Sequence, residues 1–179
     1  RGLLQRIIDV CNVMDYAHGR GVIHRDLKSI NVMLGRYGET LVIDWGLAKL
    51  MGQNVADADS ADESRPEQPV AVSESNSYQT QQGRAHGTIA YAPPEQLEGR
   101  TSEVDARSDV FSIGAMLYEV LTGNPPCSGM NLGEAVKTIK GNRIPSASDV
   151  LRSVPKPLSA IAIKALSADR KGRFRNARE

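Results

Sequence analysis

The sequence has no apolar run near the roughly 20 residues that cross a bilayer, so no segment of it reads as a membrane span. It also lacks a charge excess: 22 Lys and Arg stand against 21 Asp and Glu, for a net +1. That balance gives no argument for a nucleic-acid or membrane partner. Cysteine is nearly absent, and Cys11 and Cys127, without metal-ligand spacing, read as reduced thiols of a cytoplasmic domain. Neither a signal peptide nor an initiating Met opens the chain. Instead Leu3, Leu4, Ile7, Ile8, Cys11, Val13 and Met14 recur at helical spacing from the start, so the chain reads as beginning inside a helix. What is present is an ordinary globular composition, 40% hydrophobic and 24% charged over 179 residues, enough for one domain with a buried core.

The opening helix should run from residue 1 to about residue 18 and stop at Gly19-Arg20-Gly21. Asn31 to Leu34 and Thr40 to Ile43 are short apolar runs around Gly35-Arg36-Tyr37-Gly38-Glu39, which predicts a β-hairpin. Such a hairpin returns the chain so that Asn31 and Asp44 converge on one site. Residues 52–82 have little to bury and read as an acidic, Ser-rich, disordered insert. They carry six acidic residues against Arg65 alone, which leaves the remainder of the chain basic. Val110 to Leu121 is apolar on most faces, as for a helix buried through the domain centre, and Gly123-Asn124-Pro125-Pro126 should stop it. Leu132 to Lys140 and Leu158 to Leu166 read as amphipathic helices joined by a Pro- and Ser-bearing connection. The expected fold is mainly α with a small β-hairpin.

The chemistry-bearing stretch is His24-Arg25-Asp26-Leu27-Lys28-Ser29-Ile30-Asn31, followed by Asp44-Trp45-Gly46. It resembles the H-R-D-L-x-x-x-N catalytic loop and D-F-G element of protein kinases, with Trp45 in the place of Phe. Gly87-Thr88-Ile89-Ala90-Tyr91-Ala92-Pro93-Pro94-Glu95-Gln96 is similar to the end of that family's activation segment. Asp109-Val110-Phe111-Ser112-Ile113-Gly114 resembles the opening of its large central helix, and Asp169-Arg170-Lys171-Gly172-Arg173-Phe174 its closing motif. Five motifs in family order cover nearly the whole chain, which a lone H-R-D would not.

The resemblance implies a serine/threonine protein kinase of the bacterial eukaryotic-type group. Its reaction moves the ATP γ-phosphoryl group to a protein Ser/Thr hydroxyl, using Mg²⁺ or Mn²⁺. Asp26 would orient the acceptor hydroxyl and take its proton. Lys28 would reach the phosphoryl group as a point charge, and Asn31 and Asp44 would hold the metal through oxygen. Thr88 would bond the base and Lys28. Arg25 would gather an activation-segment phosphate, with Thr80 the leading acceptor and Ser73, Ser75 and Ser77 its competitors. Asp109 would accept bonds from the catalytic-loop backbone, Glu95 would pair with Arg173, and His24 would pack in the core. Ser29 stands where Pro is usual and should loosen the loop. Tyr91 reads either as part of the substrate-facing loop or as a core residue, and His18 and His86 as surface residues.

The family's Gly-rich loop, strand Lys and helix Glu have no counterpart here. The chain therefore reads as the C-terminal lobe of a two-lobe α+β fold, and its partners would be the N-terminal lobe of the same parent chain, ATP and a protein substrate. Alone, it should not catalyse transfer. The competing class is a noncatalytic, pseudokinase-type binding module, against which the joint presence of Asp26, Lys28, Asn31 and Asp44 argues.

Overall fold

The computed structural model describes residues 2–50 and 88–179; the acidic segment 52–82, with Ser73, Ser75, Ser77 and Thr80, and His86 lie outside the described residues. Helix α1 spans Gly2–Gly19 and buries one stripe, Val10, Met14, Ala17 and His18. Leu3 and Ile8 face outward. The chain leaves the helix through Gly21, whose φ of 77° is a conformation that only glycine adopts without cost. Burial of His18 corrects the expectation that it lies on the surface. It shares the buried stripe of α1 because it follows Ala17 and stands one turn after Met14.

Two antiparallel ribbons follow. Strands β2 (Val32–Leu34) and β3 (Thr40–Val42) form the hairpin, with Met33 opposite Leu41. Strands β1 (Val22–Ile23) and β4 (Lys49–Leu50) close a second ribbon around it. That second ribbon was not anticipated, because two-residue strands are too short to display alternation. The hairpin is fastened to α1 from the side: Arg6 donates to the Gly38 carbonyl, and the Thr40 hydroxyl donates to Asp9 at 2.9 Å.

Helices fill the remainder. Helix α2 (Pro94–Leu97) is one turn, opened by proline at its first position. Helix α3 (Ala106–Thr122) starts at a capping box, in which Asp105 accepts the Arg107 N–H at 2.8 Å and Ser108 returns a bond to the Asp105 N–H. It ends at Gly123, with φ 88°. Every residue from Ser108 to Tyr118 is buried, so the central helix touches core on all sides. Helices α4 (Leu132–Lys140), α5 (Ala147–Val150) and α6 (Lys156–Ala165) follow, and a short turn at Arg170–Gly172 leads to Arg173. Short α5 interrupts what the sequence presented as a plain connection; Ser146 caps it, and its Ser148 N–H donates to the buried Ser159 hydroxyl of α6.

The core lies on both sides of α3. Phe111, Ala115, Leu117 and Tyr118 pack with Ile139, Val154, Ala162 and Leu166, whereas Ile113 and Met116 meet Val10, Met14 and Leu27. At Gly114 the central helix approaches α6 so closely that an added Cβ would stand 2.6 Å from Ala165 Cβ. Burial pushes the Cys127 thiol up to about 11, so it stays protonated and apolar in character. Among the described residues no helix is long and apolar enough to cross a membrane.

Candidate active site

Three residues in a row, His24, Arg25 and Asp26, take their shape from one buried carboxylate. Asp109, in the first turn of α3, accepts the His24 N–H at 2.9 Å and the Arg25 N–H at 3.0 Å. Its Oδ2 also accepts His18 Nε2–H at 2.8 Å. Arg25 sits at φ 70°, a left-handed conformation costing a non-glycine residue about 1–2 kcal/mol. Asp44 is similarly placed at φ 63°, and strained backbone of this kind concentrates at functional sites. His24 is fully buried; its Nε2–H donates to the Ile43 carbonyl at 3.0 Å and its Nδ1 accepts the Asp26 N–H at 3.3 Å, which assigns the tautomer.

Asp26 is bracketed. Lys28 Nζ donates to both of its carboxylate oxygens, at 3.0 and 2.8 Å, and to the Thr88 hydroxyl at 3.1 Å. Asn31 Nδ2 donates to the Asp26 carbonyl at 2.8 Å. The nitrogen of that amide is thereby committed and its oxygen is the atom left for another ligand. The Ile43 N–H donates to the Asn31 carbonyl at 2.9 Å, so the hairpin brings the backbone beside Asp44 next to Asn31. Asp44 itself is exposed. An amide oxygen and an exposed carboxylate suit a hard divalent cation, whose other ligands come from phosphate and water. Among the described residues no cluster of three or more acidic, His or Cys side chains stands ready to hold a metal ion.

Trp45 leaves Asp44 unhindered. Its ring lies 4.6 Å from that of His24, tilted by 53°, and its N–H donates to the Val42 carbonyl at 3.0 Å. Ser29, where Pro is usual, gives the loop a contact that Pro would lack. Its hydroxyl donates to Glu119 of α3, and the Tyr91 hydroxyl donates to the same carboxylate oxygen at 2.8 Å. Burial, reinforced by Glu119, pushes Tyr91 up to about 12 and keeps it a donor. One carboxylate thus joins the catalytic loop, the 88–97 segment and the central helix.

Below the site, Glu95 and Arg173 form a buried two-point ion pair at 2.7 and 2.9 Å, and Ser108 donates to Glu95 at 2.7 Å. Burial alone would raise the Glu95 carboxyl; Arg173 and Ser108 outweigh it and hold the group below the usual carboxylate range. Arg25 Nε is buried with no hydrogen-bond partner among the described residues. Sequence reasoning missed His18, Ser108 and Glu119, and it saw Gln96 only as part of a motif. Gln96 Nε2 donates to the Arg25 carbonyl at 2.6 Å.

Residues 4–177 match the family model described as the protein kinase domain. Among curated proteins, the chain is 33% identical to the serine/threonine-protein kinase PknD of Protochlamydia amoebophila, over 99% of this chain and 17% of that protein. It is 32% identical to the serine/threonine-protein kinase PknB of Mycolicibacterium smegmatis, over 100% of this chain and 25% of that protein. A probable serine/threonine-protein kinase PknB of Bifidobacterium longum is 34% identical, over 98% of this chain and 22% of its own length. The chain therefore spans a quarter or less of these relatives.

Proposed function

The chain belongs to the protein kinase family, in its bacterial eukaryotic-type serine/threonine branch, and on that premise we propose that it carries the catalytic residues for transfer of the ATP γ-phosphoryl group to protein Ser/Thr hydroxyls. The observation that carries the reading is the bracket around Asp26, with Lys28 on both carboxylate oxygens and on Thr88, and Asn31 on the Asp26 carbonyl. Asp26 holds the acceptor hydroxyl in line and takes its proton as the oxygen attacks phosphorus. Lys28 lies beside it as a cation for the charge that develops on the moving phosphoryl group. Asn31 Oδ1 and the Asp44 carboxylate are the donors for Mg²⁺, which when bound neutralises phosphate charge.

Two finer readings belong with this one. The chain acts as the C-terminal lobe, and an N-terminal lobe of the same parent covers the edge where Met33, Leu34, Leu41, Leu47 and Leu50 stand exposed. The buried Arg25 Nε, without a hydrogen-bond partner among the described residues, supports a phosphorylation switch, whose acceptors, Thr80 first among them, lie outside the described residues. ATP as substrate and free thiols at Cys11 and Cys127 support a cytoplasmic site of action.

The test is a transfer assay on the full-length gene product with Mg·ATP and a protein substrate. Phosphoserine or phosphothreonine is expected, with kcat reduced about 10²–10⁴-fold in Asp26→Asn and Mg²⁺-dependent nucleotide binding lost in Asp44→Asn. The 179 residues alone are expected to transfer nothing. Undiminished transfer by both variants would overturn the assignment.

A further inference from the structure

The Asp26 Cα lies between two backbone carbonyls, and each accepts a side-chain amide. Asn31 Nδ2 holds the Asp26 carbonyl at 2.8 Å from within the loop. Gln96 Nε2 holds the Arg25 carbonyl at 2.6 Å from 71 residues away. The Arg25–Asp26 peptide follows a residue at φ 70°, a conformation that persists only where its surroundings fix it. Asp109 fixes the N–H side of Arg25, and Gln96 is the group that meets its C=O side.

We propose that Gln96 is a positioning residue for Asp26, clamping the carbonyl of the preceding residue so that the base points where the acceptor hydroxyl must lie; this rests on the kinase reading above. The chemistry requires a donor that reaches the carbonyl. A carbonyl oxygen only accepts, so the amide nitrogen must face it, and a carboxylate in the same place would repel it. Helix α2 does not depend on this bond for its own place. Its Gln96 N–H donates to the Pro93 carbonyl, and the adjacent Glu95 is locked to Arg173. The rigid ion pair therefore anchors a reaching arm. Arg173, Glu95, Gln96 and the Arg25 carbonyl form a continuous line from the base of the domain to the reacting carboxylate.

The experiment compares Gln96→Met, which keeps the bulk and deletes the donor, with Gln96→Glu, which keeps the shape and at pH 8 also lacks it. Both are made in the full-length gene product. The measurements are kcat, KM for ATP, thermal midpoint, and hydrogen exchange at residues 24–26. A misaimed catalytic group costs up to about 10²-fold, so kcat should fall by about tenfold or more in each variant. KM for ATP should stay within about twofold, because among the described residues the Gln96 side chain bonds the Arg25 carbonyl and none of Lys28, Asn31 or Asp44. Amides of residues 24–26 should exchange faster. Unchanged kcat in both variants, or a loss that only follows the folded fraction, would overturn the proposal. Absence of transfer by the unsubstituted protein would instead sink the kinase reading itself. Unchanged exchange at 24–26 would remove the clamp in either case.

Discussion

The half of the molecule built on α3 and the edge that carries the ribbons are made on opposite plans. Around α3 the helices meet at van der Waals contact, as at Gly114 and Ala165, and buried polar groups such as Glu95, Ser108 and Arg173 have partners. At the edge the strands are two or three residues long, and Met33, Leu34, Leu41 and Leu50 are about half exposed. Yet Asn31 and Asp44 belong to this thin edge. The contrast shows how a reacting loop can stand beside open surface and still be held: most of its long-range bonds run downward, to Asp109, Glu119 and Gln96, while His24 and Asn31 meet the hairpin at Ile43.

The comparison breaks most severely at Glu95. Glu95→Ala strands Arg173 in the core and should lower stability by about 3–5 kcal/mol in urea unfolding. The same group gives the helical half a pH signature. Because its folded carboxyl lies below its ordinary value of 4.5, its contribution is complete above that pH and disappears as pH falls through the folded value. The shielded variant Glu95→Gln should lose that part of the acid dependence.

Gly114→Ala should come next, at about 1–3 kcal/mol for overpacking, despite the helix propensity it gains. Ala165→Gly should recover part of the loss if the contact at 2.6 Å is its cause. Leu41→Ser at the edge should be the smallest, within about 0.5 kcal/mol for this chain by itself. A loss of 2 kcal/mol or more there would mean that the ribbons are core and would erase the distinction between the two halves.

Much of this plan is written in local sequence, and the exceptions share one property. Leu132 to Lys140 could be bounded because Asn131 and Glu134 cap one end and Gly141 follows the other. Asp26, Lys28 and Asn31 fall within six residues, so their spacing alone places them in one loop. By contrast, Ser29 and Tyr91 meet on Glu119 across 90 and 28 residues, and Gln96 reaches back 71. No periodicity encodes such meetings. His18 was within reach, since the phase of Val10, Met14 and Ala17 puts it on the buried stripe. Its polar character argued for the surface until Asp109 supplied a partner in the core.

Asp109 also sets an order of events. It accepts from residues synthesised 84 to 91 positions earlier, so His24 and Arg25 can be made but cannot yet be shaped. At ribosomal speeds of about 5–20 residues per second, the catalytic loop waits roughly 4–18 s for its anchor. During that interval the nascent chain carries every group of the loop without the two backbone bonds that Asp109 supplies to it. The reaction centre is thus translated well before the residue that gives it its shape.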